Sequence, residues 1–153
     1  MALIDENTWS TILAHEDTEL LPPADAASIE AFETEQGFRL PDVHREFLLR
    51  GNGGVIGYAR LFGIGGDDAL DLGQQLSAMR SYIQESADGP VFPFANDWGG
   101  SYFCYDLRKP GGPKGDPVLF WNHELSEEPD DRPMLWSEYA PDFVAFVKEV
   151  IDF

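Results

Sequence analysis

The sequence predicts an α+β domain in which helices pack against an antiparallel or mixed sheet of about four to six strands. Helical periodicity near the N-terminus, short strand-like segments joined mostly by hairpin-length turns in the middle, and an amphipathic helix at the C-terminus all favour this class. A length of 153 residues is that of one ordinary domain, so residues 1–153 are expected to form a single unit.

The first predicted helix is short. Thr8 can cap it, and Trp9, Ile12 and Leu13 fall at i, i+3 and i+4 to form one apolar face. Leu20–Pro23 is expected to be a connector, because each proline disfavours helix in the residue before it.

The second helix has a start signal and a stop signal. Asp25 offers an N-cap, the helix is predicted from about Ala26 to Gln36, and Gly37 supplies the left-handed residue that commonly ends a helix. Ile29 and Phe32 are expected on its buried side.

The third helix is predicted to begin at Leu40–Asp42, with proline at the first helical position, and to bury Val43, Phe47 and Leu48. Gly51–Gly54 ends it. This glycine-rich loop follows a helix and lacks the G-x-x-x-x-G-K-[ST] pattern, so it does not predict nucleotide binding.

The middle of the chain combines strands with one further helix. A helix is expected from Leu72 to about Gln84. Strands are predicted at Val55–Ile64 (one strand or a bent hairpin arm), Val91–Ala95 (with Pro93 at an edge or a bulge), Tyr102–Tyr105 and Val118–Glu124.

The last helix has the clearest periodicity. After Pro141, apolar residues recur at i, i+3, i+4, i+7 and i+8, namely Phe143, Phe146, Val147, Val150 and Ile151. This pattern predicts one continuous apolar stripe docked on the sheet.

The charge balance restricts the partners. The formal net charge is −18, from 28 acidic and 10 basic residues, and the arginines are scattered along the sequence. Nucleic acid is therefore not an expected partner, since phosphates are bound by clustered Lys and Arg. A basic protein would be attracted and its association accelerated, although the same acidity is also typical of simple solubility or of a salt-adapted host.

Cysteine and histidine give no sign of a reactive centre. Cys104 has no partner for a disulfide and lies in an apolar strand, which predicts inert core. His15, His44 and His123 are not spaced as metal ligands, and a Cys104–His123 dyad would need an electropositive, accessible setting that this sequence does not suggest. No cofactor is expected.

Targeting and membrane segments are also not expected. The N-terminus lacks a basic region followed by an apolar run, and no apolar segment of 18 residues occurs in the sequence. A cytoplasmic protein is therefore predicted.

The densest patch of candidate functional residues is Phe94–Asp106, which is typical of a strand, a tight turn at Gly99-Gly100, and a second strand. Asp97 and Asp106 could form a carboxylate pair for acid–base chemistry or for a metal, or could bond turn amides. Trp98 and Tyr102 could be interface anchors or core aromatics. The Gly-Asp loop at Gly65–Asp71 lacks the spacing of an EF-hand and is expected to be a solvated loop.

Several blocks of the chain resemble the SUKH superfamily, the Smi/Knr type of domain. They occur in the family's order and cover nearly the whole chain: Ile29–Pro41, Phe47-Leu48, Asn52–Gly54, Phe92–Asp106, Val118–Glu124, and the end helix with Phe143 and Phe146. Ser101 departs from the pattern, because the family often carries Asn or Asp after the two glycines.

The resemblance implies an α+β binding domain without catalysis. Many bacterial members are immunity proteins that neutralise toxins, often nucleases, and fungal members regulate cell-wall synthesis. Because nuclease toxins are commonly basic, the acidity fits the first role, and a basic toxin domain is the expected partner. The predicted contact face comprises Asp67, Asp68, Asp97, Trp98, Tyr102, Asp106, Trp121 and Glu124.

Two alternatives stay open on the sequence alone. The first is a regulatory scaffold for cell-wall synthesis or signalling, which differs from an immunity protein only in its partner. The second is a small hydrolase that uses Asp97 and Asp106 as its acid–base pair.

Overall fold

The structure is a computed structural model, and it describes residues 4–16, 18–37, 39–65, 71–73, 91–97, 101–106, 117–121 and 136–152. Four helices and one antiparallel sheet of seven strands are found in these residues, which is an α+β arrangement. In chain order the elements are α1 Glu6–Ala14, β1 Glu19–Leu20, α2 Ala26–Gln36, α3 Asp42–Arg50, β2 Gly54–Ile56, β3 Ala59–Leu61, β4 Val91–Asn96, β5 Tyr102–Asp106, β6 Val118–Trp121, β7 Trp136–Ala140 and α4 Phe143–Asp152.

The predicted class is confirmed, but the sheet has more strands than the four to six that were expected, since seven pair in the order β1 to β7. Val55–Ile64 proves to be the β2–β3 hairpin. The two strands that the sequence did not suggest are β1, where Glu19 and Leu20 pair with β2, and β7, which pairs with β6. Both lie at the edges of the described sheet, where each is held by pairing with a single neighbouring strand rather than by a sequence pattern of its own.

The helix starts follow local capping chemistry, with two corrections to the prediction. Asp5 rather than Thr8 caps α1, and its carboxylate accepts a hydrogen bond from the Thr8 amide. Pro41 takes the N-cap position of α3, with extended ψ, instead of the first helical position. The bounds of α2 agree with the prediction, with Asp25 as its N-cap and Gly37 in the left-handed conformation at its end.

The apolar stripe of α4 docks as predicted. Phe143, Phe146, Val147 and Val150 are all buried, and Ile151 is half-buried at the end of the stripe. On α1, by contrast, Leu13 is 61% exposed, so it does not join Trp9 and Ile12 in the core. The predicted helix from Leu72 to Gln84 lies almost wholly outside the described residues.

Two bulges shape the sheet. Pro93 is opposite Cys104 and Ala95 is opposite Phe103, so Phe94 is an extra residue in β4. Because β4 lies between β3 and β5, the bulge rather than an edge position accommodates the proline. The second bulge is in β7, where Glu138 and Ala140 pair with adjacent residues of β6 and Tyr139 is the extra residue. Each bulge turns an aromatic ring towards Phe146 of α4.

None of the helices in the described part of the chain has the length and apolar character that crossing a bilayer requires. The free thiol of Cys104 is buried, and burial raises its pKa, so the thiol is neutral at physiological pH, as the predicted inert core position requires. His123 lies outside the described residues.

Candidate partner-binding surface

Asp97 closes the turn between β4 and β5. Its amide donates to the carbonyl of Ser101 at 3.0 Å, and its carboxylate accepts a hydrogen bond from the Ser101 amide at 2.9 Å. The carboxylate therefore bonds a turn amide, which is the structural role that the sequence left open beside a catalytic one. Asp97 is half-buried, so part of it also meets solvent.

Asp106 lies at the other end of this hairpin. It pairs with Val91 at the start of β4, and it is 2% exposed. It lies five positions after Ser101, whose amide bonds the Asp97 carboxylate, and five residue steps along a strand span about 16 Å. The carboxyl groups of glycosidase acid–base pairs stay within about 9.5 Å, so the hairpin does not bring Asp97 and Asp106 together for chemistry on one bond.

Tyr102 and Trp121 are brought together, but in the interior. They are opposite each other on β5 and β6, with ring centroids 6.2 Å apart. They are 8% and 3% exposed. They continue a row across the sheet that begins with Arg60 and Asn96, in which the Arg60 guanidinium donates to the Asn96 side-chain oxygen at 3.0 Å. In this structure both aromatic rings stabilise the sheet rather than presenting a surface.

Asp67, Asp68, Trp98 and Glu124 lie outside the described residues. Of the predicted face, Asp97 is thus the described residue that retains substantial solvent exposure.

A pair of tyrosines lies on the side of the sheet where the β2–β3 turn meets α4. The hydroxyl groups of Tyr58, in that turn, and Tyr139, in the bulge of β7, are 2.6 Å apart and share a hydrogen bond. Both residues are half-buried. The ring of Phe103 packs against both tyrosine rings, with its centroid 6.3 Å from that of Tyr58 and 4.9 Å from that of Tyr139.

Two carboxylates act on this pair. Burial is the main cause that raises the pKa of Tyr58, and the negative charges of Asp97 and Glu149 raise it further. Burial, the bond to Tyr58 and the charge of Glu149 raise the pKa of Tyr139. Both hydroxyl groups therefore stay protonated at physiological pH. We call Tyr58, Asp97, Tyr139 and Glu149 the tyrosine–carboxylate surface.

Sequence reasoning named Asp97 but missed the other members of this surface. Tyr58 and Tyr139 are 81 residues apart, so no local spacing links them. Their partnership depends on the β7 bulge and on the close approach of the β2–β3 turn to α4, neither of which has a local sequence pattern. The available signal was weak: Gly57 directly before Tyr58 marked a turn with a special backbone.

The chemistry of the surface is that of hydrogen-bond acceptors with negative charge. Hydroxyl and carboxylate oxygens of this kind suit a donor cation such as a lysine or an arginine. Within the described ranges, no group of three or more His, Cys, Asp or Glu residues is arranged to hold a metal ion.

Comparison with known proteins supports the resemblance seen in the sequence. No curated protein matches the chain significantly. The model of the SMI1 / KNR4 family (SUKH-1) matches residues 23–149, a span that runs from just before α2 to near the end of α4. It includes the β4–β5 hairpin and every member of the tyrosine–carboxylate surface. Because the match covers most of its length, the chain belongs to the SMI1 / KNR4 family (SUKH-1).

Proposed function

We propose that this protein is a non-catalytic binding domain that acts as an immunity protein and neutralises a basic toxin domain. Its family is one of immunity and regulatory domains that act through protein interactions. The observation that carries the proposal within this family is the net charge of −18, which favours a basic partner.

The acidic character extends to the exposed side chains of the described elements. Exposed carboxylates occur on α1, α2, α3, β7 and α4, for example Glu6, Glu35, Asp42, Glu138 and Glu149. Three ion pairs are formed among the described residues, by Arg39, Arg45 and Arg50, and they involve Asp42, Glu33 and Glu6. The exposed carboxylates Glu35, Glu138 and Glu149 take part in none of these ion pairs, so they can attract a basic protein.

The positions of three residues that the sequence offered for catalysis argue against that role. The Asp97 carboxylate is bonded to the turn amide of Ser101, Asp106 is buried at the far end of the hairpin, and the buried thiol of Cys104 has a raised pKa. These positions support a binding role over the hydrolase alternative.

The test uses the protein encoded beside this one in its genome. Co-expression should abolish that protein's toxicity, and the two purified proteins should form a complex. Association should slow by at least tenfold between about 50 mM and 500 mM salt, since steering by exposed charges is screened.

Two outcomes would contradict the proposal. Toxicity that persists in the presence of this chain would reject the immunity role. A complex with a non-toxic enzyme of cell-wall synthesis or signalling would instead support the regulatory scaffold, which is the competing hypothesis.

A further inference from the structure

We propose that the tyrosine–carboxylate surface binds an arginine side chain of the partner. This inference rests on the proposed function, because it assigns the residues through which a basic partner is contacted. It commits to arginine because the surface offers fixed oxygen acceptors and aromatic edges together, which match a planar guanidinium with five donors.

The first support is the acceptor capacity of the hydroxyl pair. A tyrosine oxygen has two lone pairs, and the bond between Tyr58 and Tyr139 uses at most one lone pair of the Tyr139 oxygen. At least one further lone pair of that oxygen can accept from a donor outside the pair. An arginine side chain has only donors, so none of its groups would face the Tyr139 oxygen as a second acceptor.

The second support is the charge beside the pair. Glu149 is exposed, and no ion pair joins it to a cation within the described part of the chain. Its helical neighbour Lys148 lines a different region, a groove of about 280 Å³ between α1 and α4 that Asp5 also lines. The negative charge at the tyrosine pair is therefore not cancelled by the nearest lysine in sequence.

The third support is the fixed position of the acceptors. Tyr139 is held by the β7 bulge and packs on Phe103 and Phe146. Gly57, with φ of 57°, lies so close to α4 that an added Cβ would overlap the Val150 carbonyl oxygen, so the turn that carries Tyr58 packs directly against this helix. Acceptors ordered before binding lose less conformational entropy when a ligand arrives. Tyr and Arg are also the residue types enriched at interface hot spots.

The experiment uses short peptides as probes on the full chain. Acetyl-Gly-Arg-Gly-amide is titrated against the protein, and the ring signals of Tyr58 and Tyr139 are followed by NMR. The matched probe carries citrulline, which keeps the shape of arginine and removes its charge. We expect saturable shifts of both rings with the arginine peptide and shifts at least fivefold smaller with citrulline.

Variants locate the site. Glu149→Gln should weaken binding of the arginine peptide by about two- to fivefold, the range of an exposed ion pair. Glu30→Gln removes the same charge from an exposed position of α2 and should change the affinity by less than 1.5-fold. The double variant Tyr58→Phe with Tyr139→Phe keeps both rings, removes the hydroxyl acceptors, and should weaken binding at least as much as Glu149→Gln.

Equal shifts with arginine and citrulline, or equal effects of Glu149→Gln and Glu30→Gln, would overturn the inference. Either result would leave the proposed function intact if the complete partner still binds and is neutralised. If instead the arginine peptide binds as expected but no basic partner is neutralised, the proposed function fails while the arginine site stands as a local property of the surface.

Discussion

Two hydrogen bonds of tyrosine hydroxyls differ in their surroundings far more than in their length. In the core, the Tyr105 hydroxyl lies 2.7 Å from Nδ1 of His44, and at the edge the hydroxyls of Tyr58 and Tyr139 are 2.6 Å apart. Each bond joins residues more than 60 positions apart, so each closes long-range structure. The first pair is fully buried and the second half-buried, and this difference decides what each bond can do.

The core bond belongs to a histidine enclosed by aromatic rings. Phe94, Tyr105 and Phe143 meet the imidazole edge-on, with centroids 5.5 Å away, and Phe47 lies at 5.9 Å. The other ring nitrogen, Nε2, has no hydrogen-bond partner among the described residues. Burial therefore lowers the pKa of His44 to about 3. The core keeps His44 uncharged, whereas the edge pair lies beside two carboxylates.

The largest expected effect comes from acid acting on the core. The unfolded chain binds a proton at His44 below pH 6.5, and the folded chain does so only near pH 3. His44 therefore contributes stability that is complete above pH 6.5 and is lost as the pH falls, by about 1.4 kcal/mol per pH unit. Chemical denaturation from pH 7 to pH 4 should show a loss of about 3 kcal/mol that depends on His44.

A matched variant isolates this effect from the titration of the many carboxylates. In His44→Gln the side chain cannot titrate, so the difference in unfolding free energy between wild type and variant should shrink by the same slope below pH 6.5. His15→Gln removes a half-buried histidine at the end of α1 and controls for the loss of a histidine as such. A difference that stays constant down to pH 4 would contradict the prediction.

The next largest effect is expected at the contact between the β2–β3 turn and α4. Gly57→Ala should destabilise the fold by about 2–3 kcal/mol, because the residue has positive φ and its new Cβ would overlap the Val150 carbonyl oxygen, forcing the β2–β3 turn away from α4. Gly37→Ala is the matched control. It has the same backbone strain at φ of 77° with nothing within 4 Å of the added Cβ, so it should cost about 1 kcal/mol.

Thermal and chemical unfolding of both glycine variants provides the measurement. Equal losses would mean that the turn does not depend on its contact with α4. If Gly57→Ala is the more destabilising variant, the NMR ring signals of Tyr58 should also shift in it, since the position of the Tyr58 hydroxyl depends on this turn.

Local chemistry explains which elements could be predicted. Asp25 and Gly37 mark the two ends of α2, and the periodic apolar residues of α4 mark its buried face, so both helices follow from the sequence. Pro93 indicated an edge position or a bulge, because a proline cannot donate to the ladder, and the structure has the bulge. By contrast, β1 and β7 form because they pair with other strands. The two residues of β1 pair with β2, which is far away in sequence, and β7 pairs with β6. Strand propensity alone reveals neither.

The candidate site was harder to predict for a related reason. Tyr102 and Trp121 are of the residue types that often anchor interfaces, but both are buried. Every position of β5 is buried, so the alternation of side chains along this strand does not separate core from surface. Tyr58 and Tyr139 meet only through the tertiary fold. The turn bond of Asp97 could be predicted because it is local: its carboxylate accepts from the amide four residues later in its own turn.

The smallest expected effect is the loss of stability when one hydroxyl is removed from either tyrosine hydrogen bond. Tyr105→Phe leaves Nδ1 of His44 buried without its partner and should cost about 1–3 kcal/mol, whereas Tyr58→Phe should cost about 0.5–1 kcal/mol because the hydroxyl of half-buried Tyr139 can turn to water. Unfolding free energies at pH 7.5 measure both, and each variant removes one hydroxyl and keeps its ring. Equal losses would show that the edge pair is as closed to solvent as the core, and would remove the access that binding of an arginine requires.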